Sequence, residues 1–450
     1  MNNALVASME AIDFQRDSIF ISEMALQYEA CLHDPSKETL NKAAAALHKI
    51  AKKATGMHFN FHFAQMGEPN AFVIVPRADI ASPMRPDEIA TKIQRLGRPA
   101  SEQELFKGTV DVAKGKVSGI YSEIPIDIFL AVELFTSRRL ANITGRHIAA
   151  IAAHEIGHGF TYLRYLGNFV LSNVVVAEIT RRKHEGADDK VIQEVVRVAE
   201  QKTGWRLREL GEINRSTDPL VVQQIVMAGM VENIRSELGT KFYDQRAFEF
   251  SADQFVARHG GAADIVQALD LLNRAYPDYN KFYRSNTKNI FLSLQAYLGI
   301  LISRLWHGSL SASVVLGIAG TTAAMPFAIG VGIAVASLSL LMALFSAAED
   351  SIYDPVPQRF AAMRRELIAS SKDQNLSPAQ RKEIIEGIAS IDEIIGNLTS
   401  GIFSHPRLLG DMMIGIFNGR GAEKKFQRQL EELVNNRLFE LSNKLQTQTV

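Results

Sequence analysis

His154, Glu155 and His158 are the residues of this chain whose types and spacing most clearly predict chemistry. They form a His-Glu-x-x-His motif in a stretch with the composition of a helix. Two histidines four positions apart lie on one helical face, about one turn apart, so both imidazoles can reach a single zinc ion. Glu155 could then act as general base on a water held by the metal. The alternative is a chance pentapeptide on an ordinary amphipathic helix.

A second helical stretch, residues 248–257, offers the remaining groups of such a site. Glu249 and Asp253 also stand four positions apart, so they share one helical face. The carboxylate of Glu249 would complete a site of two histidines and one glutamate, with the fourth position left for water. Asp253 would accept the free ring N–H of a ligating histidine and fix its orientation. The alternative is a solvated acidic face, which an isolated pair of this kind would favour.

The elements that must position these groups have signals of their own. Residues 146–153 are strong helix formers, and Thr144 is suited to cap the helix that carries the first motif. Gly157 and Gly159 would leave one side of that helix bare, which permits close approach by another backbone. Residues 58–63 alternate with a period of two and predict a strand with its aromatic side chains facing inward.

The two motifs together resemble the gluzincin metallopeptidases of the HtpX and CAAX-prenyl-protease type, whose signature is HExxH followed by ExxxD. Residues 69–76 are similar to the family's Asn-Ala-Phe strand, and residues 116–121 sit where the family has the strand before its catalytic helix. Residues 354–360 are similar to its His-Pro…Arg motif, with shorter spacing. In that motif Asp354 stands in place of the family's histidine.

The resemblance covers residues 56–163 and 240–290, and it implies a zincin-like core that hydrolyses peptides with one zinc ion per chain. It also implies that the strand before the catalytic helix is an edge that receives the substrate as an added strand, which the physics of strand addition permits. The residues of this predicted edge are Lys116, Val117, Ser118, Gly119, Ile120 and Tyr121. The sequence leaves an additional oxyanion donor open among four side chains, Tyr353, Arg359, His259 and His405.

Composition argues against several classes of function. Lysine plus arginine and aspartate plus glutamate each number 49, so no global basic field points to nucleic acid as a partner. The single cysteine, Cys31, rules out an intramolecular disulfide and a cysteine-rich zinc finger. The first ten residues lack a basic region and a long apolar core, so the sequence predicts no cleavable signal peptide.

An apolar segment at residues 298–348 breaks this otherwise polar composition. It carries no charged residue from Leu305 to Ala348. Basic residues on both flanks favour a membrane hairpin with both ends in the cytoplasm, and a single span is the alternative. The sequence therefore predicts a lipid bilayer as partner and a catalytic domain on the cytoplasmic side. A helical hairpin buried in a soluble cytoplasmic assembly is the other interpretation.

We therefore expect an α+β fold that is mainly helical, with a zincin-like catalytic core, a small edge sheet, an apolar helical hairpin and a helical C-terminal region. The expected segments are N-terminal helices at 1–55, the first half of the core at 56–163, a helical insertion at 164–239, the second half of the core at 240–290, the apolar hairpin or span at 298–348 and the C-terminal helices at 349–450.

Two apolar stripes mark the C-terminal region. The first repeats at 4-3-4-3 spacing through Ile384, Ile388, Ile391, Ile395 and Leu398, and the second runs through Phe426, Leu430, Leu433, Leu438 and Leu441. We expect the two helices to pack on each other. The alternative is a heptad-like seam between copies of the chain, which would make a homo-oligomer.

These observations together predict a membrane-associated zinc metalloendopeptidase that acts on a polypeptide or a membrane protein. His154, His158 and Glu249 would hold the zinc ion, and Glu155 would be the general base. The alternative from a different class is a structural or membrane-remodelling protein that retains a zinc site without turnover.

Overall fold

A computed structural model of the chain describes residues 19–75, 107–112, 114–203, 245–279, 286–318, 329–337, 356–372 and 376–399, with short stretches at 104, 213, 215–216, 218, 221–222, 224–226, 283 and 339. Helices predominate in this part of the chain and enclose a small mixed sheet, which confirms a mainly helical α+β fold. The described residues fall into two compact units. One lies within Met1–Leu272 and Ala362–Ile391, and the other within Asn273–Ala361 and Asp392–Val450.

Two helices that pack against each other open the described chain, α1 (Ile19–His33) and α2 (Lys37–Thr55). The break between them falls at residues 34–36. Ser36 caps α2, because its hydroxyl accepts a hydrogen bond from the Thr39 backbone N–H at 3.3 Å. The break therefore follows from local residue chemistry.

The described strands are, in chain order, β1 (His58–Ala64), β2 (Ala71–Ile74), β3 (Thr109–Asp111), β4 (Lys116–Ser118) and β5 (Pro125–Ala131). β5 is the centre of a three-stranded sheet, with β1 parallel on one side and β2 antiparallel on the other. Alternation along the strands buries Phe59 and Phe61 of β1 together with Ile126 and Ile128 of β5. The predicted strand at 58–63 is confirmed.

β3 and β4 form a separate two-stranded antiparallel ribbon. The chain then enters a 3₁₀ helix, Gly119–Glu123, so the predicted edge strand was right for Lys116–Ser118 and wrong for the three residues that follow. The departure begins at Gly119, whose φ of 67° leaves the extended region. Ile120 and Tyr121 are then turned into the interior, with 3% and 2% exposure.

The next helices are α3 (Glu133–Thr136), α4 (Gly145–His184), α5 (Asp189–Thr203), α6 (Gln245–Arg258) and α7 (Ala262–Ala275). α4 is the central element of its unit, because α1, α6 and the sheet all pack against it. It is 40 residues long, so it continues into the segment predicted to be a separate insertion from residue 164. Its later part shares an apolar cluster with α5 through Val175, Ile179, Ile192 and Val196.

Three longer helices complete the described chain, α8 (Asn286–Ile318), α9 (Val356–Ser371) and α10 (Pro378–Thr399). None of the helices described here is long and apolar enough to cross a membrane. The described part of residues 298–348 therefore contains no membrane hairpin or span. The membrane assignment that depended on this segment was wrong. α8 has the necessary length, but Gln295, Arg304 and His307 interrupt its apolar run. Residues 319–328 and 340–348 lie outside the described residues.

Ser377 caps α10, because its hydroxyl accepts a hydrogen bond from the Gln380 backbone N–H at 3.3 Å. Part of its apolar seam is packed within the chain, since Ile384 and Ile391 are buried. Between them, a Cβ at Gly387 would lie 3.1 Å from Ala263 of α7 and 3.2 Å from Leu367 of α9. The second apolar stripe, residues 426–441, lies outside the described residues, so packing between the two stripes stays a prediction.

Candidate metal site

The beginning of α4 is fixed by contacts that set its position in the unit. Thr144 accepts a hydrogen bond from the His147 backbone N–H at 3.3 Å, and His147 Nδ1 accepts one from the Thr144 N–H at 3.1 Å. This reciprocal arrangement confirms the predicted cap. Glu29 of α1 adds a third contact, because its carboxylate accepts a hydrogen bond from the Gly145 N–H at 2.6 Å. A negative charge is favoured there by the partial positive charge of the helix N-terminus.

α6 crosses α4 at Gly157, where the two backbones nearly touch. A Cβ at Gly157 would lie 2.9 Å from the Cα and 3.0 Å from the carbonyl oxygen of Ala252. Gly159 faces the sheet, and a Cβ there would lie 2.9 Å from the ring of Phe59. Gly157 therefore permits the close backbone approach that the sequence predicts, whereas Gly159 makes room for side chains of the sheet. The contact at Gly157 brings Glu249 of α6 toward the histidines of α4.

Three side chains converge between α4 and α6, namely His154, His158 and Glu249. Glu249 Oε2 lies 3.3 Å from His154 Nε2, and Glu249 Oε1 lies 3.5 Å from His158 Nε2. Two ligand atoms that each lie about 2.0–2.1 Å from a tetrahedral zinc ion are about 3.3–3.4 Å apart. The two measured distances are close to that value, and the ligand atoms of all three residues lie within 4.8 Å of one another, so these residues could hold a metal ion.

Asp253 contacts the other nitrogen of His154. Its Oδ1 atom lies 2.9 Å from His154 Nδ1, and the residue is only 1% exposed. Burial acts to lower the pKa of His154, but the carboxylates of Asp253 and Glu249 outweigh burial and raise that pKa to about 10. The site therefore favours a positive charge at His154, whether a proton or a metal ion supplies it. Contact with Asp253 at Nδ1 leaves Nε2 directed at Glu249.

The side chains of the cluster differ in their exposure to solvent. The His154 side chain is 9% exposed, while those of His158 and Glu249 are 17% and 15% exposed. Glu155, next to His154 on α4, is buried as well. His158 and Glu249 are therefore the more exposed members of the cluster, and His154 and Asp253 are the more buried ones.

Of the four side chains predicted as further contacts, the structure describes His259 and Arg359. Tyr353 and His405 lie outside the described residues. His259 follows the end of α6, and its ring packs between those of Phe20 and Phe255, with centroids 4.7 and 4.6 Å away. With an exposure of 3%, His259 lies in the core. Arg359 lies on α9 and is also buried.

Sequence reasoning did not identify Glu29 and Ala252, which position the two helices of the site. Glu29 has no local signal, because its partner is a backbone group 116 positions away. Ala252 does have one. It lies on the turn between Glu249 and Asp253, and a small residue there could have been paired with Gly157 as the point where the helices cross.

Comparisons with known proteins add no relative: no family model matches the chain, and neither the curated proteins nor the solved structures contain a match.

Proposed function

We propose that this chain is a zinc-dependent metallopeptidase in which His154, His158 and Glu249 hold the metal. The observation that supports this most is the spacing of the ligand atoms, 3.3 and 3.5 Å between Glu249 and the two histidines. Two histidines and one glutamate are a ligand set of catalytic zinc sites, whereas structural sites are usually closed by four protein ligands. Among the described residues, the converging group consists of three.

Glu155 fits the role of general base, because it adjoins His154 on α4 and is 8% exposed. A zinc ion held by the three ligands would supply a Lewis acid that polarises a peptide carbonyl and acidifies water. Glu155 would accept the proton of the attacking water and deliver it to the departing amine. Asp253 would hold His154 in the orientation that presents Nε2 to the ion.

The choice of a peptide as substrate rests on the motifs. HExxH places a carboxylate beside the first histidine ligand, which is the arrangement of zinc-dependent peptidases. The third ligand and Asp253 stand in an ExxxD sequence on a second helix, as in the gluzincins that the chain resembles. Such a substrate would reach the cluster from the side of His158 and Glu249, because these are its more exposed ligands.

Metal binding is the first test of this proposal. The purified chain should contain about one zinc ion per molecule by elemental analysis, and His154→Ala should lose it, because one of three ligands is gone. His62→Ala is the matched control, since His62 is an exposed histidine that pairs with Asp127 on the sheet. Wild-type protein that takes up no zinc would exclude the proposed site.

Hydrolysis is tested separately with Glu155→Gln. This variant should retain zinc and lose cleavage of a denatured protein substrate, because a neutral amide cannot serve as the base. Products are identified by mass spectrometry after parallel purification of the wild type and the variant. Equal cleavage by both proteins would reveal a contaminating protease. Zinc binding by a wild type that cleaves nothing would instead favour a structural role for the site.

A further inference from the structure

α6 carries a second set of polar contacts, on a face that does not point at the metal site. Gln254 Nε2 donates a hydrogen bond to Glu366 Oε1 at 3.1 Å, and Arg258 Nε lies 3.2 Å from Glu366 Oε2. Gln254 and Arg258 are one helical turn apart, as Glu249 and Asp253 are. One carboxylate of α9 therefore holds two successive turns of the helix that supplies the third ligand.

Burial shows that Glu366 is held in place rather than loosely paired at the surface. Glu366 is 6% exposed and Gln254 is 1% exposed. A carboxylate in the interior is costly unless it is hydrogen-bonded and paired. Oε1 of Glu366 accepts the hydrogen bond of Gln254, and Oε2 lies within ion-pair distance of Arg258. All three residues belong to the same compact unit as the metal site.

We infer that Glu366 is a positioning residue for the metal site, which it serves by fixing the rotation of α6 about its own axis. This inference rests on the proposed zinc site. Side-chain atoms lie about 5–6 Å from a helix axis, so a rotation of about 10° displaces them by about 1 Å. Ligand distances in metal sites keep within about 0.2 Å of their usual values. A helix free to turn by this amount would hold Glu249 out of place for much of the time.

The test is the zinc affinity of Glu366→Leu, measured by competition with a chromophoric chelator. Leucine fills a similar volume and removes both contacts to α6. We expect the zinc Kd to rise about tenfold or more, the range found when groups that orient metal ligands are removed. The visible spectrum of the Co²⁺-loaded variant should also change, because this spectrum reports the geometry of the ligands. A general loss of stability would leave the ligand geometry of the folded protein, and so the spectrum, unaltered.

Two further variants separate positioning from folding. Asp264→Asn is the matched control. It removes another partly buried ion pair, the one between Asp264 of α7 and Arg146 of α4 at 2.9 Å, and it leaves α6 untouched. It should keep the wild-type Kd and Co²⁺ spectrum. Gln254→Met removes the donor of the hydrogen bond to Glu366 with little change in side-chain volume. It should raise the zinc Kd as Glu366→Leu does, and it serves as the test even if Glu366→Leu does not fold.

The outcomes are distinct. Wild-type zinc affinity and an unchanged Co²⁺ spectrum in Gln254→Met, or in a folded Glu366→Leu, would overturn the positioning role and leave the proposed zinc site intact. An equal loss of affinity in Asp264→Asn would also overturn it, because the effect would then be one of general stability. A wild type that binds no zinc would remove the proposed function itself.

Discussion

Gly157→Ala should separate the two helices of the metal site. The added methyl would lie 2.9 Å from the Ala252 Cα, whereas carbon atoms in contact keep about 3.5–4.0 Å. α6 must therefore move away by roughly half to one ångström. Overpacking of this kind costs about 1–3 kcal/mol, and the better helix propensity of alanine recovers about 0.8–1.0 kcal/mol. The free energy of unfolding should thus fall by about 0–2 kcal/mol.

Zinc binding should respond more strongly than stability. The displacement exceeds the tolerance of about 0.2 Å in ligand distance, so the zinc Kd should rise about 10- to 100-fold. Chelator competition measures the Kd, and thermal unfolding of the metal-free protein measures stability. Gly299→Ala on α8 is the control, because a Cβ there meets nothing within 4 Å. It should stabilise by about 0.5–1 kcal/mol. Unchanged zinc affinity in Gly157→Ala would refute the close crossing of α4 and α6.

Three other results are expected. Thr144→Ala removes the cap of α4 and should lower the free energy of unfolding by about 1 kcal/mol in denaturant titration; no loss would contradict the cap. Asp253→Asn should weaken zinc binding about 10- to 100-fold by chelator competition, because His154 loses the carboxylate at Nδ1; a wild-type Kd would exclude that role. Zinc binding should strengthen by about tenfold per pH unit between about pH 7 and 9, because metal-free His154, with its pKa near 10, must release a proton before it coordinates. In the metal-free protein, the raised pKa of His154 stabilises the folded state below about pH 6.5. This stabilisation is lost as the pH rises through about 10. A zinc affinity independent of pH would show that His154 is already neutral.

The sequence was sufficient for the local parts of the site. Spacing in a helix follows from chain position alone, so His154 and His158 could be placed on one face, as could Glu249 and Asp253. Thr144 and Ser36 could be recognised as caps because capping depends on a few adjacent residues. The structure brings both histidines and Glu249 together, which helical periodicity alone could not establish.

The sequence was insufficient where distant segments meet or where a turn interrupts a pattern. Nothing local indicates that β1 pairs with β5 in parallel, since register depends on which faces are buried in the folded protein. The edge strand was extended too far because one glycine, Gly119, redirects the backbone. The membrane prediction rested on the absence of charged residues from Leu305 to Ala348 in the apolar segment. Much of that segment is alanine, glycine and serine, which contribute little to the free energy of membrane insertion.

The order of the ligands along the chain has a consequence for folding. His158 and Glu249 are separated by the later part of α4, by α5 and by a long connection, so a shared metal ion would close a loop of about ninety residues. Such a closure acts as a cross-link. If the metal stays bound to the unfolded chain, it reduces the conformational entropy of that chain; if the metal binds the folded chain alone, it stabilises the folded chain alone. In either case the complete ligand set exists only after α6 has docked on α4. Metal uptake would therefore report the docking of α6 on α4, and metal removal would weaken that contact.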